Sequence, residues 1–436
     1  MEDGSSRTSG VRSILRFRRG ATHRRKSPQP RTILGVDISA DVSSVSGALV
    51  SATGRGTDMH VEVVAKRHVA VPSSAANLYR QLADGKHATP SHLAVLGSQL
   101  AKVVDEVTGQ LKQQSNTRCD PLAVAICDGG LWSLGEGSLR HALALVDASR
   151  VAELTGYNVI DGFALGDLAN NGQGGPLTTV PLWMLLNDPQ RTRVLLDLGR
   201  TTRMTYLPAT DRDGAERVVA MDVGPGMALL DHFVKQLTAG DQQFDPGGRL
   251  AVQGRRVERL LQHWLGDPYF SRPLPRWHPH GVSTARFLAD SVEMAVDADW
   301  NVRDLLCTAT HFIADSIQLA INRLLETDRP IDQLLVTGGG SQNGMLLQEI
   351  SERIEPISVH RLGEVGLDDE TIPATSAAIL GLLHIDGVAA SQPTITGAHS
   401  PQVLGRLTRG TPDRWQQLVE TISGASTGSL KSRKAG

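Results

Sequence analysis

Two stretches of this chain place an acid, small residues and hydroxyls in a pattern suited to gripping phosphate: Thr32–Val50, TILGVDISADVSSVSGALV, and Val194–Pro208, VLLDLGRTTRMTYLP. In each, an apolar run breaks at Asp-x-Ser or Asp-x-Gly, passes through small hydroxylated residues, and resumes as a second apolar run. That is the pattern of a β-hairpin with a small-residue turn. The backbone N–H groups of Ser39–Ser44 and Gly199–Thr202 suit phosphate oxygens. Asp37 and Asp197 end their strands and are the candidate acids for Mg²⁺ carried on ATP, which needs one or two carboxylates. Phosphoryl transfer, driven by positioning and charge neutralisation, is the chemistry such a set performs.

Three further segments join a strand or helix to glycines. In Leu334–Met345, LLVTGGGSQNGM, an apolar strand runs into Gly338, Gly339 and Gly340, and a helix follows with Asn343 placed to cap it or to bind a ligand edge. Alone, such a triplet is equally a tight turn. Val219–Met227, VAMDVGPGM, ends a strand at Gly224 and Gly226 and begins a helix, with Pro225 near its first turn. Gly166–Leu177, GDLANNGQGGPL, is a Gly/Asn-rich loop with one acid, Asp167, at its start. A lone acid there is commonly a cap; Asp167 is also the candidate general base for a water or hydroxyl acceptor.

The elements that must position these residues follow from periodicity. Strands are expected at Ile33–Val36, Val45–Val50, Val61–Val64, Ala123–Cys127, Val194–Leu198, Met204–Leu207, Val218–Asp222 and Leu334–Thr337. Helices are expected at Ser91–Lys112, Ala148–Leu154, Met227–Leu237, Arg255–Trp264, Val302–Leu325, Gly344–Arg353 and Thr375–His384. Hairpins followed by alternating strands and helices give an α/β protein with mixed sheets flanked by helices. The hairpin arrangement starts near Ile33 and again near Val194, so two lobes of one design are expected. An N-terminal lobe spans 31–188, with 374–398 packing back onto it, and a C-terminal lobe spans 189–373. Their boundary falls in the Gly/Asn/Pro-rich segment Asn170–Pro189. Residues 399–436 are expected as an extension and tail.

The chain has 436 residues, 40% hydrophobic and 21% charged, enough for a core in each lobe. With aromatics at 4%, that core rests on Leu, Val, Ala and Ile. A net charge of -2 favours neither nucleic acid nor an anionic membrane as partner. Three cysteines, Cys119, Cys127 and Cys307, form no disulfide framework or metal spacing and point to a reducing, cytoplasmic setting. No apolar run reaches the ~18–20 residues of a membrane span. The Arg-rich first thirty residues are expected as a disordered basic tail.

From Thr32 to Ala398 the chain resembles the anhydro-N-acetylmuramic acid kinases, a branch of the actin/hexokinase-like superfamily. The segments that carry the resemblance are GDLANNGQGGPL, MDVGPGMALLDHFV, FDPGGRLAVQGRRVERLLQHWLGDPYFSRPLP and LLVTGGGSQNGMLLQEISERI. The resemblance implies a two-lobed, ribonuclease H-like kinase. It would open the 1,6-anhydro ring of a muramic acid sugar with water while phosphorylating it from ATP, in cell-wall sugar recycling, and would pair as a homodimer. Asp167 matches the family's base. Gly35, Asp37, Ser39, Ser43, Asp197, Gly199, Thr201, Gly224, Gly226, the glycine triplet and Asn343 fall on the nucleotide side. Asp128, Gly129, Gly172, Gln173, Gly174, Ser283, Thr284 and Arg286 fall on the sugar side.

Several positions depart from the family pattern. The first loop, SGTS-x-DG in the family, is ISADVSS at Ile38–Ser44, so Ser39, Ala40 and Ser43 replace its Gly, Thr and Asp. The second, NIGGIAN, is DLGRTTR at Asp197–Arg203; an HGQT-like loop is DGGL at Asp128–Leu131. Arginines expected near Asp167 are Ala164 and Gly166, a Ser-Thr-Gly-Arg motif is STAR at Ser283–Arg286, and an expected catalytic Glu falls at Pro373. Arg200 and Arg203 either clamp phosphate or fill the site with a salt bridge. Two functional readings stand: an ATP-dependent amino-sugar kinase, and a catalytically impaired homologue that binds sugar or nucleotide or serves as a scaffold.

Overall fold

The computed structural model describes residues 30–83, 89–115, 120–134, 140–209, 214–279, 281–296, 298, 300–326 and 330–423. The basic N-terminal segment and Cys119 lie outside them. In chain order the strands are β1 (Arg31–Ile38), β2 (Ser44–Thr53), β3 (His60–Ala70), β4 (Ala123–Cys127), β5 (Leu131–Leu134), β6 (Arg140–Leu143), β7 (Asn158–Asp161), β8 (Arg193–Leu198), β9 (Thr201–Leu207), β10 (Val219–Pro225), β11 (Gln333–Thr337), β12 (Ser358–Arg361) and β13 (Arg406–Thr408). They form a six-stranded sheet ordered β13-β7-β4-β1-β2-β3, a five-stranded sheet ordered β10-β9-β8-β11-β12, and the separate β5–β6 hairpin.

The two large sheets repeat one topology. β1–β2–β3 is an antiparallel meander, and β4 and β7 continue the sheet parallel to β1. β8–β9–β10 is the second meander, and β11 and β12 continue it parallel to β8. The central strands are near-continuous apolar runs because helices cover both faces. Edge strand β3 instead carries the consecutive charged and polar residues Lys66, Arg67 and His68 and is mostly exposed.

Helix Ile372–Asp386 packs directly on β1, β2 and β4. A Cβ on Gly35 would lie 1.9 Å from the Ala374 carbonyl oxygen, so only glycine lets the helix sit this close. The segment Asn170–Pro189, expected as a boundary, instead holds the apolar helix Thr179–Leu186, buried with that helix in a core shared by both sheets. In the C-terminal lobe, helix Val302–Leu325 starts at an Asn301–Asp304 capping box and carries Phe312 into a cluster with Trp264 and Phe287 at 5.1 and 5.2 Å between ring centres. Each such ring contributes roughly 1.5–3 kcal/mol by burial. Residues 406–408, expected in an extension, are the β13 edge strand of the first sheet.

Candidate active site

A cavity of about 440 Å³ opens between the lobes. Arg140 and Gln173 reach it from the N-terminal side, and Asp222, Arg272, Arg276 and Arg286 from the other. Asp222 lies at the bulge where β10 turns toward its helix, and is 1% exposed. Its Oδ1 accepts from Arg203 Nε at 2.9 Å and its Oδ2 from the His278 N–H at 2.9 Å. Its backbone carbonyl accepts from the Tyr269 hydroxyl and Arg276 Nε. Burial raises the Asp222 carboxyl above its ordinary range even against the pull of Arg203. Buried Arg276 is lowered by desolvation; its guanidinium donates to main-chain carbonyls and lies 5.0 Å from the Tyr269 ring centre. Arg272 and Arg286 face the same ring at 5.6 and 5.8 Å. The guanidinium groups outnumber the single carboxylate lining the cavity, which suits a ligand carrying an acid group.

The GQGG loop closes the cavity's N-terminal side. Asp167, at the end of helix Phe163–Ala169, is wholly buried. Its Oδ2 accepts from the Gly174 N–H at 2.7 Å, and its Oδ1 accepts from the Thr396 hydroxyl at 2.6 Å and from Ser391. A Cβ on Gly172 would lie 2.1 Å from Oδ2. Asp167 is therefore closed off from solvent here, not open to an attacking water, and it holds the loop against the 391–396 segment. Gln173 crosses between the lobes: its Nε2 donates to the Pro275 carbonyl and its Oε1 accepts from the Trp277 N–H, each at 2.8 Å. Arg140 on β6 donates to the carbonyls of Gln173 and Trp277, and Trp132 meets Trp277 edge-on at 5.6 Å.

Ser283 and Arg286 line the same cavity. Ser283 accepts from the Ala285 N–H and the Thr284 carbonyl from Leu288 N–H, so both start helix Ala285–Val296. Arg286 pairs with Asp267 at 3.0 Å. Asp128 and Gly129, expected on the sugar side, do not line this cavity. Asp128 accepts from the N–H groups of Gly130, Leu145 and Val146, fixing both ends of the β5–β6 hairpin. Gly129 backs the β1–β2 turn, with a Cβ placed 3.0 Å from Ala40 Cα.

The two phosphate-type turns differ. At the first, Ser39 Oγ accepts from the Ser43 and Ser44 N–H groups, and Asp41 Oδ1 accepts from the Ser39 hydroxyl, the Ser43 N–H and the Ser43 hydroxyl. Half-buried Asp37 stands beside Asp128; burial first, then that like charge, pushes its carboxyl to about 7. At the second turn, the carbonyls of Gly199 and Arg200 accept from the Gly226, Met227 and Ala228 N–H groups that open helix Met227–Leu237. Peptide planarity then points the Arg200 and Thr201 N–H groups away from that helix. Arg203 takes the salt-bridge role with Asp222, while Arg200 stays exposed. Burial raises Asp197, Arg203 opposes it, and Asp369 and Asp222 add to it. Thr201 Oγ1 accepts from the Val282 N–H at 2.9 Å, tying this turn to the cavity wall.

Several expected nucleotide contacts are packing positions. Gly35 lies under a helix. Gly224 is buried against Phe270 and Ser316, and a Cβ on Gly226 would lie 2.3 Å from the Gly199 carbonyl oxygen, so each packs closely against its neighbours. Gly338 and Gly340 press on Asp197 and Leu198, whereas Gly339 has open space around it. Asn343 caps helix Gly344–Ile354 through the Leu346 N–H at 3.1 Å. Asp222, Arg276, Arg140 and Asp369 were not among the expected site residues. Asp369 accepts from the Thr337 hydroxyl and the Gly338 N–H at the end of β11. The one available signal was Asp222's place inside VAMDVGPGM. Among the described residues no group of three or more His, Cys, Asp or Glu is arranged to hold a metal, and no helix is long and apolar enough to cross a membrane.

The family model described as anhydro-N-acetylmuramic acid kinase matches residues 34–410. A relative named anhydro-N-acetylmuramic acid kinase from Gloeobacter violaceus is 30% identical over 385 residues, covering 86% of this chain and 98% of its own. One of the same name from Synechococcus sp. (strain CC9902) is 31% identical over 374 residues, covering 82% and 94%. A solved ROK family glucokinase from Streptomyces griseus, in complex with glucose and AMPPNP, aligns over 80% of this chain and 98% of its own, at 11% identity and a TM-score of 0.36. The match of the family model, running from β1 through the GQGG loop and the cavity wall to β13, means that this chain belongs to the anhydro-N-acetylmuramic acid kinase family.

Proposed function

We propose that the chain is an ATP-dependent sugar kinase that opens the 1,6-anhydro ring of anhydro-N-acetylmuramic acid with water and phosphorylates the product. The observation that carries this reading is the arginine-lined cavity between two lobes that each open a meander with a phosphate-type turn. Muramic acid sugars bear a carboxylate, and Arg272, Arg276 and Arg286 give the cavity a matching charge. In the reaction, water adds at the anomeric carbon, the bridging C–O bond breaks, and the freed oxygen takes the phosphoryl group as ADP leaves. The water's proton passes to a carboxylate.

Asp167 is the proposed base. It reaches the water when the 391–396 segment withdraws its hydroxyls, and Gln173 couples that loop to the closing of the lobes. Asp37 and Asp197 suit Mg²⁺ on the nucleotide, because burial has raised both and Asp37 has Asp128, not a cation, beside it. Bound there, the ion neutralises phosphate charge. The test is ADP release with the anhydro sugar beside a panel of uncharged sugars. Turnover with the acid sugar alone supports the assignment, and turnover unchanged in Asp167→Asn removes that residue from the chemistry. Absence of ADP release with every sugar overturns it.

A further inference from the structure

We propose that the β1–β2 turn carries its own anion: the Asp41 carboxylate occupies the donors that would otherwise meet nucleotide phosphate, and so weakens the grip of the N-terminal lobe on ATP. The proposal rests on the ATP reading above. Three donors converge on Asp41 Oδ1: the Ser39 hydroxyl at 2.9 Å, the Ser43 N–H at 3.2 Å and the Ser43 hydroxyl at 2.7 Å. That is the donor set of an anion site, already filled. Three further N–H groups of the turn are also engaged. Ser44 N–H donates to Ser39 Oγ, Val42 N–H to the Ser39 carbonyl, and Ser39 N–H to the Ser44 carbonyl.

The turn is also held in a strained shape. Val42 has φ of 54°, in the left-handed region that a β-branched residue rarely adopts. Its buried side chain and the Asp41–Ser39–Ser43 network hold it there. Although desolvation opposes it, the hydrogen bonds from Ser43 and Ser39 keep Asp41 below the usual carboxylate range, so the group is an anion throughout the neutral range. The equivalent turn after β8 has no acid at its tip and exposes Arg200 instead. ATP phosphates are thereby directed to the C-terminal lobe's turn.

The test is calorimetry of full-length wild type, Asp41→Asn and Asp41→Ser with Mg-ATP, Mg-ADP and adenosine. Serine keeps an acceptor for the Ser43 N–H, so one variant preserves the turn if the other disturbs it. The expected result is ATP binding tightened roughly fivefold in both variants, a smaller gain for ADP and none for adenosine, with the gain shrinking at high salt. Wild type that binds ATP while both variants bind it equally or more weakly overturns this proposal alone. Absence of ATP binding by wild type and variants alike overturns the ATP reading and the proposal with it.

Discussion

The turns after β1 and β8 occupy equivalent places in two sheets of the same topology, yet they are built from opposite charges. The first follows Asp37, tips at Asp41 and rests on a turn headed by Asp128. The second follows Asp197, tips at Arg200 and includes Arg203, paired with Asp222. Each is backed by a glycine at close range: Gly129 beneath Ala40, Gly226 beneath Gly199. The first turn directs its Ser43 and Ser44 amides to its own side chains, while the second directs its carbonyls to a helix N-terminus. Equal topology therefore does not give equal ligand chemistry. The donors left over after the turn has satisfied itself decide what it binds.

The comparison breaks most sharply at the strand-end acids. Asp197→Asn is expected to lower turnover by about 10²–10³. Asp37→Asn is expected to cost less, about tenfold, since the turn beside it already holds its donors on Asp41 and contributes less to gripping phosphate. Steady-state kinetics on both variants measures the difference, and equal losses would make the turns equivalent. The supporting glycines come next. Gly226→Ala pushes a methyl into the Gly199 carbonyl and is expected to cost about 1–3 kcal/mol in chemical denaturation. Gly129→Ala has more room at 3.0 Å and is expected to cost under about 1 kcal/mol.

Arg200→Ala is expected to raise the ATP KM by about fivefold with kcat little changed, as for an exposed charge near phosphate. Ser39→Ala, on the self-satisfied turn, is expected to move that KM by less than about twofold. A separate readout is pH dependence. The folded Asp37 carboxyl titrates near 7 against an ordinary 3.8, so between those values the native state holds a proton that the unfolded chain has released. Its stabilising contribution is full below that window and is lost as pH rises through it. Thermal melts from pH 4 to 8 are expected to fall more steeply for wild type than for Asp37→Asn. Parallel curves would place Asp37 in ordinary solvent.

Much of the scaffold was legible in the chain. Helices Met227–Leu237 and Val302–Leu325 fall where their apolar periodicity places them, because that period is written in neighbouring residues. The eight expected strands are present, since long apolar runs beside small-residue turns have few other solutions. Short elements escaped: the β5–β6 hairpin, β7, β12 and β13 span three or four residues each, too few for a period to show. Helix Thr179–Leu186 was masked by its uniform apolarity, which carries no helical stripe.

By itself, then, the sequence determined the kinase family, the paired hairpins and the segments that meet at the cleft, because these depend on local patterns and motif order. Only the tertiary structure decided which of those residues line the cavity and which pack against their neighbours. Gly35 and Gly224 turned out to make room for neighbouring elements, Asp167 to hold a loop, and Asp41 to fill the turn it belongs to. Asp222, Arg140 and Arg276 gathered around one cavity from positions up to 136 residues apart. A side chain's partners in space compete for its hydrogen bonds and charge, and no one-dimensional pattern records who wins.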